Sequence, residues 1–183
     1  MTVIAYRAGI LAADSRCSDE FSMHLTNCRK IYRLKNRALL GTAGDDDARQ
    51  LMELLGRASP RKMPTRQQLA DTKTSFIGIM VFPKGQVFVV DVRVVEYGNS
   101  DEWAGTISPI TDDFVSVGHG QQYAYGVMEH GGSAIEAVRC ACKRDLTCAL
   151  PLQWESIDGR QRSVPSEHKA VGKTTAPRAR KSG

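Results

Sequence analysis

Apolar and polar positions along this chain switch between a period of two and a period near four, and the switches mark out its elements. Val3-Ile4-Ala5-Tyr6 follows Thr2 directly, so residues 2–7 read as a strand. Ala8-Gly9 supplies a tight turn and residues 10–14 ("ILAAD") the returning strand of a hairpin. A polar stretch (15–27) leads to the alternating "CRKIYRL" (28–34), a turn at Lys35-Asn36-Arg37, and "ALLGTAG" (38–44), a buried strand ending in glycine. "DDDARQLMELLGRA" (45–58) is predicted to be helical, with acids in the first turn where the helix dipole favours them and Leu51, Leu54 and Leu55 on one face. Pro60 and Pro64 mark a loop before a second helix that includes Gln67 to Thr72.

Residues 75–93 ("SFIGIMVFPKGQVFVVDVR") carry the clearest hairpin signal, with Lys84-Gly85 at the turn. "FVSVG" (114–118) is a further strand, followed by helices over 120–130 and 133–147. Gly131-Gly132 separates these helices and Ser133 caps the second. "LQWESI" (152–157) closes the series as a strand. Strand runs broken by helix pairs predict sheets packed on each other with helices outside, a layered α+β sandwich.

At 183 residues with 42% hydrophobic content, the chain is long enough for one domain with a real core. No apolar run approaches the roughly 20 residues of a membrane span, and the start lacks the pattern of a secretory leader. Five cysteines without a CxxC pair point to reduced thiols in a cytoplasm, with neither a disulfide nor a zinc site expected. The net charge of +5 lies in the tail: seven Lys/Arg face two Asp/Glu from Asp158 onward, which leaves residues 1–157 neutral. Rich in Ser, Gly and Pro, residues 158–183 read as a disordered basic tail outside a domain of residues 1–157. A solubilising or assembly-contact role for that tail outweighs a nucleic-acid one.

Removal of Met1 would give Thr2 a free α-amino group, whose ordinary pKa of about 8 makes it a usable base beside its own hydroxyl. Pairing around Ala8-Gly9 brings Asp14 near residues 2–3. Lys30, in the apolar-flanked "CRKIYRL", is the candidate cation that lowers the proton affinity of the threonine and is held by Asp14. "GTAG" before a helix offers the Gly44 N–H to an oxyanion. Taken singly, each residue has a plainer role: strand start, turn carboxylate, solvated charge, helix-entry glycine.

"TVIAYRAGILAADSR", "RKIYRL" followed by "LLGTAG" and a helix, and "VGHG" before a long helix together resemble the proteasome β-subunit and HslV peptidase family. The resemblance covers residues 2–157. It implies an N-terminal-threonine hydrolase with a four-layer αββα fold of two stacked antiparallel sheets and outer helices. Carried over, Thr2 is the nucleophile and its amine the base, Asp14 and Lys30 the charged pair, and Gly44 the oxyanion donor. Arg16 supports that loop, Asp145 is the helix-terminal aspartate near the amine, and Cys148 stands where many members have serine. Cys17, Cys28, Tyr32 and Asp46 fall at substrate-pocket positions.

Two departures stand out. His119 replaces the serine of the family's "GSG", so it either takes over the contact to the amine through a ring nitrogen, titrates near neutrality, or disables the site. The first hairpin is about four residues shorter than usual, an even number that preserves facing. The resemblance implies a threonine endopeptidase acting on polypeptides inside stacked homo-oligomeric rings, without metal or cofactor, and an ATP-dependent unfoldase or ring cap as a partner. The rival readings are a catalytically silent scaffold of the same fold, a basic-tailed nucleic-acid binder and a small-substrate amidase.

Overall fold

The computed structural model describes residues 2–17, 28–44, 48–97 and 100–163. In chain order the elements are β1 (Val3–Arg7), β2 (Ile10–Ala13), β3 (Ile31–Arg33), β4 (Leu39–Gly44), α1 (Arg49–Gly56), α2 (Arg66–Ala70) and β5 (Phe76–Val81). There follow β6 (Val87–Tyr97), β7 (Ser100–Ile110), β8 (Phe114–Gly118), α3 (Gln121–Glu129), α4 (Ala134–Arg144), β9 (Gln153–Ser156) and β10 (Arg162–Ser163). They form two antiparallel five-stranded sheets, ordered β10-β9-β2-β1-β8 and β3-β4-β5-β6-β7.

Strand alternation divides the apolar residues into three clusters. Ile4, Leu11 and Val117 of the first sheet meet Ile31, Leu39 and Ile79 of the second in the central core. The other face of the first sheet (Val3, Ala5, Ala12) packs on Ala124 and Met128 of α3 and Ala137, Val138 and Ala141 of α4. The other face of the second (Leu40, Met80, Val90) packs on Leu51 and Leu55 of α1 and Leu69 of α2. The chain is therefore α+β, with a helix layer outside each of two stacked sheets. Each fully buried Leu or Ile contributes about 1.5–3 kcal/mol.

Local chemistry explains most element ends. Ala8 and Gly9 both take positive φ (49° and 81°), the backbone of a two-residue hairpin whose twist suits its strands. Ser133 caps α4 in a reciprocal box with Glu136, as the sequence suggested, and Thr65 does the same with Gln68 at α2. The α4 helix stops at Arg144 rather than at 147. Asp145 leaves the helical backbone (φ −110°, ψ 115°) and turns its carboxylate onto Thr147. Helix α1 begins at Arg49, and the acids Asp45–Asp47 expected in its first turn lie outside the described residues.

Two elements go beyond the sequence-based expectation. β7 adds an 11-residue edge strand to β6. The ordered chain also runs past residue 157, through a turn to β10, which pairs with β9 at Arg162↔Glu155 and Ser163↔Trp154. Residues 158–161 therefore form a turn and Arg162 and Ser163 join the sheet, where a disordered tail was expected, because the Ser156 hydroxyl and Asp158 carboxylate accept from the backbone N–H groups of Gln161 and Arg160 and close the turn. The rest of the basic segment lies outside the described residues. Among the described residues no helix is long and apolar enough to cross a membrane.

Candidate active site

The site is built where β1 ends at its N-terminal side and β2 at its C-terminal side. Ile4 pairs with Ala13, and one step further the Asp14 N–H donates to the Val3 carbonyl at 3.2 Å. Val3 is thus the residue across from Asp14. The carboxylate reaches past it: Oδ1 accepts from the Val3 N–H at 3.0 Å and also from the Thr2 hydroxyl. Lys30 comes from the second sheet, immediately before β3. Its Nζ donates to Asp14 Oδ1 at 2.8 Å and to Thr2 Oγ1. Hydroxyl, carboxylate and ammonium form a closed triangle.

Burial makes this triangle electrostatically strong. Thr2 is 3% exposed, Asp14 fully buried and Lys30 5% exposed. The second Asp14 oxygen accepts from the backbone N–H groups of Arg16 (3.0 Å) and Ala149 (3.2 Å). A buried charge with its lone pairs so engaged is held at low cost and in one orientation. Burial pushes the Lys30 ammonium below its ordinary value, against the opposing attraction of Asp14. The result is a more acidic ammonium than a surface lysine, suited to stabilising an oxygen that gives up its proton.

The Thr2 carbonyl is fixed from the other side by β8. Gly118 has φ +93°, and a Cβ there would lie 2.3 Å from the Thr2 oxygen, so only glycine lets the strand end against Thr2. The Gly120 N–H faces the same oxygen at 3.4 Å. His119 between them is exposed and makes no hydrogen bond to Thr2 among the described residues. His119 lies near enough to Asp145 to act on its carboxyl. Burial raises that carboxyl, but the Thr147 hydroxyl and N–H, then His119 and Cys148, hold it below the usual range.

Asp145 itself shapes a loop rather than touching Thr2. Its Oδ1 accepts from Thr147 N (2.8 Å) and Oγ1 (2.7 Å), and Ala149 in that loop is the residue that donates to Asp14. Arg16 ties the same loop down, with a guanidinium N–H donated to the Leu146 carbonyl. Cys148 is buried among α3, α4 and β1. Burial, then the charges of Asp14 and Asp145, push its thiol up to about 11, and burial pushes nearby Cys142 to about 12.

Cys17 and Cys28 are joined as a disulfide with Cα atoms 6.0 Å apart, which corrects the expectation of five reduced thiols. The cause is nonlocal: the Cys28 N–H donates to the Ser15 carbonyl at 3.0 Å, so the chain returns beside the segment it left. Both cysteines are half-buried and flank Asp14 and Lys30 in sequence. Cys140, Cys142 and Cys148 are free. Tyr32 is half-buried, its hydroxyl donating to the Arg29 carbonyl at 2.8 Å and its ring lying 5.0 Å from the Arg29 guanidinium carbon. Gly44 ends β4 with φ +134° and its backbone against Ser75; no hydrogen bond joins it to the Thr2 triangle among the described residues. Asp46 lies outside the described residues.

One residue at this centre had drawn no attention in the sequence. Gln153, fully buried at the start of β9, accepts from the Lys30 backbone N–H at 2.8 Å. Its Nε2 donates to Ser15 Oγ at 2.8 Å, to the Asp14 carbonyl at 3.4 Å, and to the Cys28 carbonyl. The signal was a reversed alternation: in "LQWESI" the apolar Leu152 and Trp154 face the helices, so Gln153 and Glu155 point between the sheets. Glu155 binds Arg33 Nε at 2.8 Å.

No protein-family model matches this chain, and no curated protein is significantly similar to it in sequence. The chemistry of the site therefore rests on its geometry.

Proposed function

We propose that this chain is a threonine-type peptidase with the N-terminal-nucleophile hydrolase fold, the four-layer αββα sandwich of the proteasome β-subunit and HslV family. The observation that carries the reading is the buried triangle of the Thr2 hydroxyl, the Asp14 carboxylate and the Lys30 ammonium. A threonine used only to begin a strand needs neither buried charge. Cleavage of the bond before Thr2 by removal of Met1 frees an amine with a pKa of about 8.

That amine takes the proton from Thr2 Oγ1 as the oxygen attacks the scissile carbonyl carbon. Lys30 stabilises the oxygen's negative charge, and Asp14 holds Lys30. The carbonyl oxygen becomes an oxyanion, for which the Gly44 N–H is the candidate donor. Collapse expels the leaving amine, protonated by the Thr2 ammonium. The ester left on Thr2 is hydrolysed by a water that the amine deprotonates. A nucleophile of such low selectivity is safe only in seclusion, which favours stacked homo-oligomeric rings, polypeptide substrates, and an ATP-dependent unfoldase or ring cap as the feeding partner.

The near-complete burial of Thr2 favours one second reading, a scaffold in which the triangle merely locks the N-terminal strand. Hydrolysis of a panel of fluorogenic peptides by the chain lacking Met1 separates the two. Turnover that Thr2→Ala abolishes and Thr2→Ser retains supports the peptidase; turnover absent from wild type and Thr2→Ala alike supports the scaffold, and turnover equal in both removes Thr2 as the nucleophile.

A further inference from the structure

Lys30 and its two partners belong to different sheets, so the triangle exists only if those sheets are held in one relative position at this end. Apolar packing between sheets is not directional and does not fix such a position to a fraction of an ångström. A directional tie is required. Gln153 is the residue placed to supply it: its strand pairs with β2 at Ala13↔Gln153, one residue before Asp14, while its carboxamide oxygen accepts from the backbone of Lys30 in the other sheet. Its amide group holds the Asp14 carbonyl and the Ser15 hydroxyl on one side and the Cys28 carbonyl on the other.

We propose that Gln153 is a positioning residue that sets Lys30 against Thr2 and Asp14, and so governs the chemical step of the peptidase reading on which this inference rests. Every polar atom of the carboxamide is used. The planar amide offers an acceptor in one direction and donors in the other, which neither a carboxylate nor a hydroxyl supplies. Gln153 touches neither Thr2 nor the Lys30 ammonium and acts only through the backbone. Among the described residues the groups that face Lys30 are the Thr2 hydroxyl just before β1, the Asp14 carboxylate after β2, and the Cys142 and Cys148 thiols from α4 and the loop after it. Both thiols stay neutral near pH 7, so Asp14 is the counter-charge whose distance Gln153 controls.

The test uses the full chain with Met1 removed and two substitutions. Gln153→Met keeps length and bulk but removes every hydrogen bond. Gln153→Glu keeps the acceptor for the Lys30 N–H and sets a second oxygen against the Cys28 and Asp14 carbonyls. Folding is checked by circular dichroism and thermal melting. Turnover of a fluorogenic peptide and the rate of adduct formation with a peptide epoxyketone are then measured. In the folded variants kcat and the adduct rate fall about 10- to 100-fold while KM stays within about twofold, the pattern of misplaced reacting groups rather than lost binding.

Wild-type kcat in a folded variant, or a loss confined to KM, overturns the inference. Where Gln153→Met does not fold, the same criterion applies to Gln153→Glu. If the wild type itself neither turns over peptide nor forms the adduct, the peptidase reading has failed on its own. The positioning role is then read by NMR titration of the Lys30 ammonium, its signal assigned by loss in Lys30→Arg. A changed Lys30 titration in folded Gln153→Met supports positioning, and an unchanged one overturns it.

Discussion

Val3, not Thr2, stands opposite Asp14 across the first hairpin, and the Asp14 carboxylate reaches one residue along to accept the Thr2 hydroxyl. The nucleophile is thus aimed by a side chain, and that side chain is aimed by backbone donors at Val3, Arg16 and Ala149. Asp14→Asn is isosteric but leaves the buried Lys30 ammonium without its counter-charge. Breaking a buried pair from one side costs about 3–5 kcal/mol. Thermal melting at neutral pH should show a loss near the lower end, since Lys30 can shed its proton, and peptide turnover should fall by about 100-fold or more. A variant as stable and active as the wild type would remove Asp14 from the account.

Lys30 gives the pH dependence its sign. Its folded pKa is lowered from the ordinary 10.5, so between the two values the unfolded chain binds more protons than the folded one. Stability from this group therefore rises with pH across that window, and is least below it, where both states hold the proton. Wild type compared with Lys30→Met by melting at a series of pH values should show a difference that shifts in favour of wild type as pH rises toward 10.5. Activity should run the other way, falling on an alkaline limb that begins below the ordinary lysine value as the ammonium is lost.

Gly118→Ala tests the carbonyl side of Thr2. Its φ of +93° disfavours any side chain, and the added carbon would meet the Thr2 oxygen at 2.3 Å. Strain of this kind costs about 1–3 kcal/mol. Because the atom that must move belongs to Thr2, activity should drop by well over tenfold while the melting temperature falls only moderately, measured on one preparation.

The thiols differ in availability. Burial drives Cys148 to about 11 and Cys142 to about 12, whereas Cys17 and Cys28 are paired. Thiolate, not thiol, reacts with an alkylating agent. Iodoacetamide at neutral pH, followed by peptide mass mapping, should modify Cys140 first, and Cys17 and Cys28 only after a reductant is added. Labelling of Cys148 at the rate of Cys140 would contradict the buried environment assigned to it.

What the sequence revealed and what it hid follow the range of the interactions involved. The first hairpin and the β8 strand were legible because turn chemistry and alternation are local; β8 runs over Phe114–Gly118 as expected. The Ser133 cap is likewise written within four residues. β7 was not legible. It contains Gly105 and Pro109, tolerated because among the described residues it pairs on one side only, with β6, and because α2 packs over Gly105. The Cys17–Cys28 bond and the Gln153 tie depend on where segments return in space, which spacing does not encode. Thr2 and Asp14 could be named from the sequence because the hairpin brings Asp14 beside residues 2–3; that Lys30 crosses to them from the other sheet needed coordinates.

The central claim is that Thr2, once it carries a free amine, is a nucleophile that Asp14 and Lys30 activate. The most direct measurement is the intact mass and N-terminal peptide map of the purified protein after treatment with a peptide epoxyketone, which reacts with both the hydroxyl and the amine of a terminal threonine. The account predicts a chain without Met1 that bears one adduct on Thr2, absent in Thr2→Ala and much slower in Lys30→Met. A chain without Met1 that stays unmodified would contradict it.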